Sequence, residues 1–166
     1  MKRNELSHFD ENGRARMVDV GPKRVTKRVA IARSILQISG TLIDILLAGD
    51  LEKGDAFTVA KTAGILAAKQ TGLLIPMCHP LPVDYVNIDI KLVKEKKEIR
   101  IQAEVSTTAK TGVEMEALMA ATIAGLTFYD MCKAVDKGIK IKQTGLYKKT
   151  GGKSGTYLNP EMEWDH

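Results

Sequence analysis

The stretch Thr111–Lys137 (TGVEMEALMAATIAGLTFYDMCKAVDK) constrains this chain more than any other part of it. Thr111, followed three residues later by Glu114, has the pattern of a capping box. The spacing predicts a helix of about seven turns, free of proline and stopped by Gly138. Its large apolar residues (Met115, Leu118, Met119, Ile123, Leu126, Phe128, Met131, Val135) go most of the way round, which predicts burial on several sides. Glu114 and Glu116 nevertheless sit near its start, and Asp130 and Lys133 near its end. Charges on a buried helix need partners or a task.

The rest of the chain is that of one domain. At 166 residues it can bury a real core. With 44% apolar and 27% charged residues it has the composition of a soluble globular protein. No apolar run approaches membrane-spanning length, and the N-terminal residues carry no signal-type hydrophobic segment. Cys78 and Cys132 are far apart and have no metal-knuckle spacing, so a reduced, cytoplasmic protein is expected, without a disulfide framework or a metal centre.

The net charge of +5 is unevenly placed. Residues 20–43 hold five basic residues, Arg28 among them, and no acid; residues 137–160 hold six lysines, Lys149 and Lys153 among them, and no acid. The remaining 14 basic and 20 acidic residues leave the rest of the chain at −6. Such concentration suits an anionic ligand, although two solvated strand faces would look the same.

In chain order, residues 1–20 read as a polar arm, 21–150 as a single domain and 151–166 as a flexible Gly/Lys tail. Imperfect alternation from Val25 to Gln37 predicts a first strand. A short helix follows Ser39 and closes at Gly49; a second begins at Asp55 and ends at Gly72. Residues 85–92 and 99–105 alternate cleanly and form a hairpin around Lys94–Lys97, and Ile139–Lys142 opens a fourth strand. The order β-α-α-β-β-α-β predicts an α+β, ferredoxin-like split βαβ fold: a four-stranded antiparallel sheet with helices on one face. The other face is then left for water or for another subunit.

Three places can carry chemistry. Prolines 76, 80 and 82 stiffen the loop holding Met77, Cys78 and His79, and stiff loops between elements often carry function. Gly152-Lys153-Ser154 lacks the earlier glycine of a phosphate loop, since Tyr147 stands there; it reads instead as a basic strap able to fold over phosphates. Asp130 and Lys133 face each other on the helix, either as a surface ion pair or as an acid–base pair whose pKa values move toward neutrality. Glu114 and Asp130 lie ~24 Å apart along a straight helix. Either the glutamates are structural, or the pocket lies between two chains.

Five motifs now converge. HFDENGRARMVDV (8–20), PMCHPLP (76–82), KTGVEMEAL (110–118), YDMCKAVDK (129–137) and KTGGKSG (149–155) closely resemble the molybdenum cofactor biosynthesis protein C family. Met77 departs from the leucine common there. The resemblance implies a pyrophosphate-releasing lyase that converts 3′,8-cyclo-7,8-dihydro-GTP to cyclic pyranopterin monophosphate. It further implies Asp130 and Lys133 as catalytic groups, and Met77, Cys78, His79, Met115 and Glu116 as substrate-binding residues. Arg28, Lys53, Glu114, Lys149 and Lys153 would line or close the pocket. It implies homohexamers, as three dimers with sites at the dimer interface, and no cofactor beyond a Mg2+ ion that could ride on the substrate phosphates. The competing reading is a basic ferredoxin-like RNA-binding module, weakened by a hairpin with only Tyr85 at its edge to stack bases. A non-catalytic assembly protein is the third.

Overall fold

The computed structural model describes residues 14–153 and 155–164. The expected arm therefore lies mostly outside the described residues, as does Ser154. Five strands form: β1 (Thr26–Gln37), β2 (Tyr85–Val93), β3 (Glu98–Ala109), β4 (Lys140–Thr150) and β5 (Tyr157–Leu158). They pair antiparallel throughout in the order β2-β3-β1-β4-β5. The four long strands have the ferredoxin-like arrangement, and β5 adds a short edge strand from the segment that reads as a tail. Three helices accompany them: α1 (Gly40–Ala48), α2 (Ala56–Leu74) and α3 (Glu114–Cys132).

The alternation decides which face is covered. Ala30, Ala32, Ser34 and Leu36 of β1 and Ile99, Ile101, Ala103 and Val105 of β3 are buried, and the core they form includes α3 residues from Ala117 to Phe128. Small residues let the helices approach. A Cβ on Gly64 of α2 would strike the Ile88 side chain and lie 2.8 Å from the Ala120 carbonyl oxygen of α3. Gly64→Ala should therefore cost about 1–3 kcal/mol through overpacking, read as a lower midpoint in urea at unchanged slope.

Alanines fill most of the inner face of α3, with Phe128 and Met131 the large apolar side chains buried there. Met115 and Leu126 remain exposed, as do Leu66 and Leu73 on α2. The expected all-round burial of α3 is thus not met within one chain.

Both expected ends of α3 shift inward. Its N-cap is Val113, with no side-chain cap, because the Glu114 carboxylate accepts instead from Lys149 Nζ of β4 at 2.9 Å. An ion pair across the fold displaces the capping box. At the other end the helix closes at Lys133, not Gly138: the N–H groups of Val135 and Asp136 both reach back to the Cys132 carbonyl. Asp136 then accepts from Ser39 N at 2.8 Å and Gly138 N at 2.9 Å, pulling the chain away from the helix axis. α3 is 19 residues long, about five turns.

Helix α2 begins as expected, with Asp55 accepting from Phe57 N and Thr58 N. It runs through Gly72 to Leu74, where Pro76 forces Ile75 into an extended conformation. Gly72 serves a different purpose. A Cβ there would lie 3.0 Å from Pro80 Cα, so the glycine lets the His79–Pro80 loop close against the helix.

Two register shifts interrupt the β1–β4 pairing. One falls between Ile31 and Ala32, whose partners are Lys148 and Leu146, leaving Tyr147 without a partner on β1. No described helix is long and apolar enough to cross a membrane.

Candidate active site

Two adjoining cavities open where the N-terminal end of α3 meets the proline-rich loop. The first, about 480 Å³, is walled by Met77, Cys78, His79, Met115 and Glu116, with Val18 and Val20 across from them. The second, about 970 Å³, is lined by six cations: Lys23, Arg24, Arg28, Lys110, Lys149 and Lys153. Lys23, Thr111, Gly112 and Glu114 border both, so the two form one cleft with an apolar end and a cationic end.

Each wall has a local cause. The loop is pinned against α2 through Gly72, and Cys78 N–H donates to the Ile75 carbonyl at 3.0 Å. His79 Nε2 donates to the Val18 carbonyl at 2.8 Å, which brings the residues before β1 over the cleft. Lys110 Nζ ties the same segment by donating to the Gly21 carbonyl at 2.7 Å. Arg28 Nη2 donates to the Lys110 carbonyl at 3.3 Å, while its buried Nε has no partner among the described residues. An orphaned guanidinium N–H in a cationic cleft is a donor held ready for an anion.

Glu116 is the unusual group. It is 4% exposed, and burial pushes its carboxyl above the ordinary range, with the Glu114 charge adding to the rise and a hydrogen bond from its own backbone opposing it. A carboxyl raised by folding weakens the native state as pH climbs through its folded value. Glu116→Gln is therefore expected to raise the melting temperature at pH 8 and leave it unchanged at pH 4; equal effects at both would refute the assignment. Burial, aided by Glu116, also raises the Cys78 thiol, making it a neutral wall rather than a nucleophile.

The structure does not bring all the expected site residues together. Asp130, Lys133 and Lys53 form a separate cluster at the far end of α3. Asp130 binds Lys133 Nζ at 2.7 Å and Lys53 Nζ at 3.1 Å, and Lys53 also donates to the Asp130 carbonyl at 2.8 Å. Lys53 thus stands with Asp130 and Lys133 and not with the cationic cleft. The expected drift toward neutrality is reversed: hydrogen bonds from Lys133 and then Lys53 hold Asp130 below the usual carboxylate range, and Asp130 raises Lys133. The side chains are 55% and 49% exposed, so the desolvation needed to pull the pair together in pKa is missing. The pair's contribution to stability is present above the ordinary carboxylate range, is lost as pH falls through the lowered Asp130 value, and is lost at the other end as pH rises through the raised Lys133 value.

Val18, Lys23, Arg24 and Lys110 join the site without any signal in the sequence that marks them individually. Lys23 and Arg24 belong to the acid-free basic window, and Lys110 opens the KTGVEMEAL motif; their placement depends on the strap before β1, which no periodicity reveals. Among the described residues no three His, Cys, Asp or Glu side chains cluster as metal ligands.

Fold and cleft define a ferredoxin-like α+β protein with a small-molecule cleft, apolar at one end and cationic at the other. The chain belongs to the MoaC family, whose model matches residues 17–152. It is 52% identical over 157 residues to a cyclic pyranopterin monophosphate synthase of Listeria monocytogenes, covering 95% of this chain and 98% of that one. The enzyme of that name from Novosphingobium aromaticivorans is 52% identical over 158 residues (95% and 99% covered), and that from Thermomicrobium roseum 47% over 162 (98% of each).

Proposed function

We propose that this chain is a cyclic pyranopterin monophosphate synthase of molybdenum cofactor biosynthesis. It takes the GTP-derived 3′,8-cyclo-7,8-dihydro-GTP to cyclic pyranopterin monophosphate and pyrophosphate. The observation that carries this reading is the continuity of an apolar, carboxyl-bearing pocket with a six-cation cleft. The first suits a purine-derived ring system, the second a triphosphate.

In this reading Glu116 and His79 hold the heterocycle between Met77, Cys78 and Met115. Arg28, Lys149 and Lys153 grip the phosphates, the substrate displacing Glu114 from Lys149. A substrate hydroxyl attacks the α-phosphorus; the new P–O bond forms as the bond to the bridging oxygen breaks, and the cationic cleft stabilises the departing pyrophosphate. Asp130 and Lys133 move protons during ring opening and rebuilding, with Lys53 holding the carboxylate. The conversion leaves the oxidation level unchanged, so no redox cofactor enters the reaction; a Mg2+ ion would arrive on the substrate phosphates. A GTP-derived substrate suits an enzyme that works in the cytoplasm.

The two clusters lie ~24 Å apart along α3, beyond the reach of one small molecule in one pocket. A second subunit resolves this by bringing its Asp130, Lys133 and Lys53 to the cleft of the first. Support comes from the apolar residues left outside α2 and α3, with Leu73 84% and Leu126 53% exposed. Three such dimers would make the hexamer.

Incubating the purified chain with the cyclised GTP intermediate should yield pyrophosphate and the pyranopterin in equal amounts. Salt-dependent RNA binding without turnover would favour the RNA-binding module instead. That alternative is weakened further because Arg33 already stacks on Tyr147 and Trp164, leaving Tyr85 as the hairpin's exposed ring.

A further inference from the structure

The glycine loop after β4 is held from the opposite side of the sheet. β5 pairs with β4 at only two positions, Leu158 with Lys148 and Tyr157 with Lys149, too few to keep it in place alone. The segment after β5 supplies the anchor. Asn159 N–H donates to the Tyr147 carbonyl at 2.8 Å, and Met162, 3% exposed, seats over Gly145, where a Cβ would lie 2.9 Å from its sulfur. Arg33 Nη1 donates to the Met162 carbonyl at 2.7 Å, and its Nε to Gln102 Oε1 at 2.8 Å. Its guanidinium lies 3.5 Å from the Tyr147 ring centre and 4.3 Å from that of Trp164. Cation and rings attract, and the planar guanidinium stacks where an ammonium would not.

Arg33 alternates with Ala32 and Ser34, which are buried toward the helices, so this clasp sits on the open face of the sheet. The loop it closes serves the other face. Lys149, opposite Ala30, reaches Glu114 at the cleft. Gly151 and Gly152 have φ of 95° and 77°; a Cβ on Gly151 would collide with the Lys27 carbonyl, and one on Gly152 with the Arg28 guanidinium. The loop backbone is therefore pressed against two groups whose positions set the cationic end of the cleft.

We propose that Arg33 and Trp164 are positioning residues. They fasten the C-terminal segment to the open face and so hold the glycine loop, with Lys149 and Lys153, ready for a phosphate chain. This rests on the phosphate-binding reading of the cleft. Without the clasp the loop is a free end, and the ligand must order Lys153 itself. The loss falls on affinity and not on the proton-transfer pair at the far end of α3.

Calorimetric titration of the full chain with inorganic pyrophosphate, paired with steady-state kinetics, tests this. Trp164→Ala should weaken pyrophosphate binding and raise KM by about tenfold, the scale of ordering a loop and its side chains on binding, with kcat unchanged. Trp164→Phe, which keeps a ring over Arg33, should restore both. Arg33→Lys, which keeps the charge and loses the stacking plane, should behave like Trp164→Ala and serves if the alanine variant folds poorly. Lys153→Ala should weaken binding in the wild-type chain and add little in the Trp164→Ala chain, since the clasp acts through that lysine. Unchanged pyrophosphate affinity in both clasp variants, fully multiplicative effects with Lys153→Ala, or a fall in kcat at constant KM would each overturn the proposal. Failure of pyrophosphate to bind the wild-type chain would overturn the phosphate reading itself.

Discussion

Asp130→Ala is expected to lower pyranopterin formation by about 10³-fold, the scale of a lost proton-transfer group, while the melting temperature stays near that of the wild-type chain. Lys133→Ala should do the same. Among the described residues the two side chains, about half exposed, form ion pairs only with each other and Lys53, so their removal opens no cavity in the core. Asp130→Asn separates charge from shape, since it keeps the hydrogen-bonding outline without a carboxylate. Near-normal turnover in any of these variants would remove the proton-transfer assignment. In the free chain the pair is locked as ions, with Asp130 lowered and Lys133 raised. A substrate must therefore break the lock before either group can exchange a proton. Phosphate oxygens competing for Lys53 and Lys133, and a partner surface that excludes water, would do so.

The second large effect is a rescue. Chains carrying Glu116→Ala and chains carrying Asp130→Ala should each be inactive alone, and together should regain about a quarter of wild-type activity if they pair at random in twofold dimers. Half of the dimers would be mixed, and each mixed dimer would hold one site with both lesions and one with neither. The wild-type protein, mixed and separated in the same way, gives the reference. Mixed samples that remain dead would show that each chain works with its own α3, and the composite site would fall.

Much of the fold can be read directly from the residues. The alternation at 85–92 and 99–105 needs no partner to be recognised, because a sheet half-covered by helices writes a period of two into its strands. The helix starts at Ser39 and Asp55 are equally plain, since their caps use neighbours in sequence. The features that escape such reading depend on distant partners. Glu114 has the spacing of a cap but is claimed by Lys149; Asp136 ends α3 early through Ser39, 97 positions away. Gly72 looks like a helix stop because nothing nearby announces Pro80 as its neighbour. For the site, the residue types at 77–79, 114–116 and 130–133 are legible from motifs. The division of the last two groups between the ends of one helix is legible from length alone. The direction of the Asp130 and Lys133 shifts is not, because exposure is a property of the assembled surface.

The residue that β4 leaves unpaired has a consequence of its own. Along that strand Thr144 and Leu146 lie opposite Ser34 and Ala32, on the helix side; the next residue on that side is Lys149, three steps on instead of two. Tyr147 thus acts as a parity bit. Were Tyr147 kept and the shift lost, strict alternation from Leu146 would turn Lys148 toward Glu114 and Lys149 to the open face. Two adjacent lysines, alike in chemistry, are assigned opposite duties by a single count. In this strand the count of residues carries information that no side chain does: deleting Tyr147 would close the bulge and leave both lysines on their present faces, whereas a slip that smoothed the bulge with Tyr147 kept would be felt at the cleft although every cation survived it.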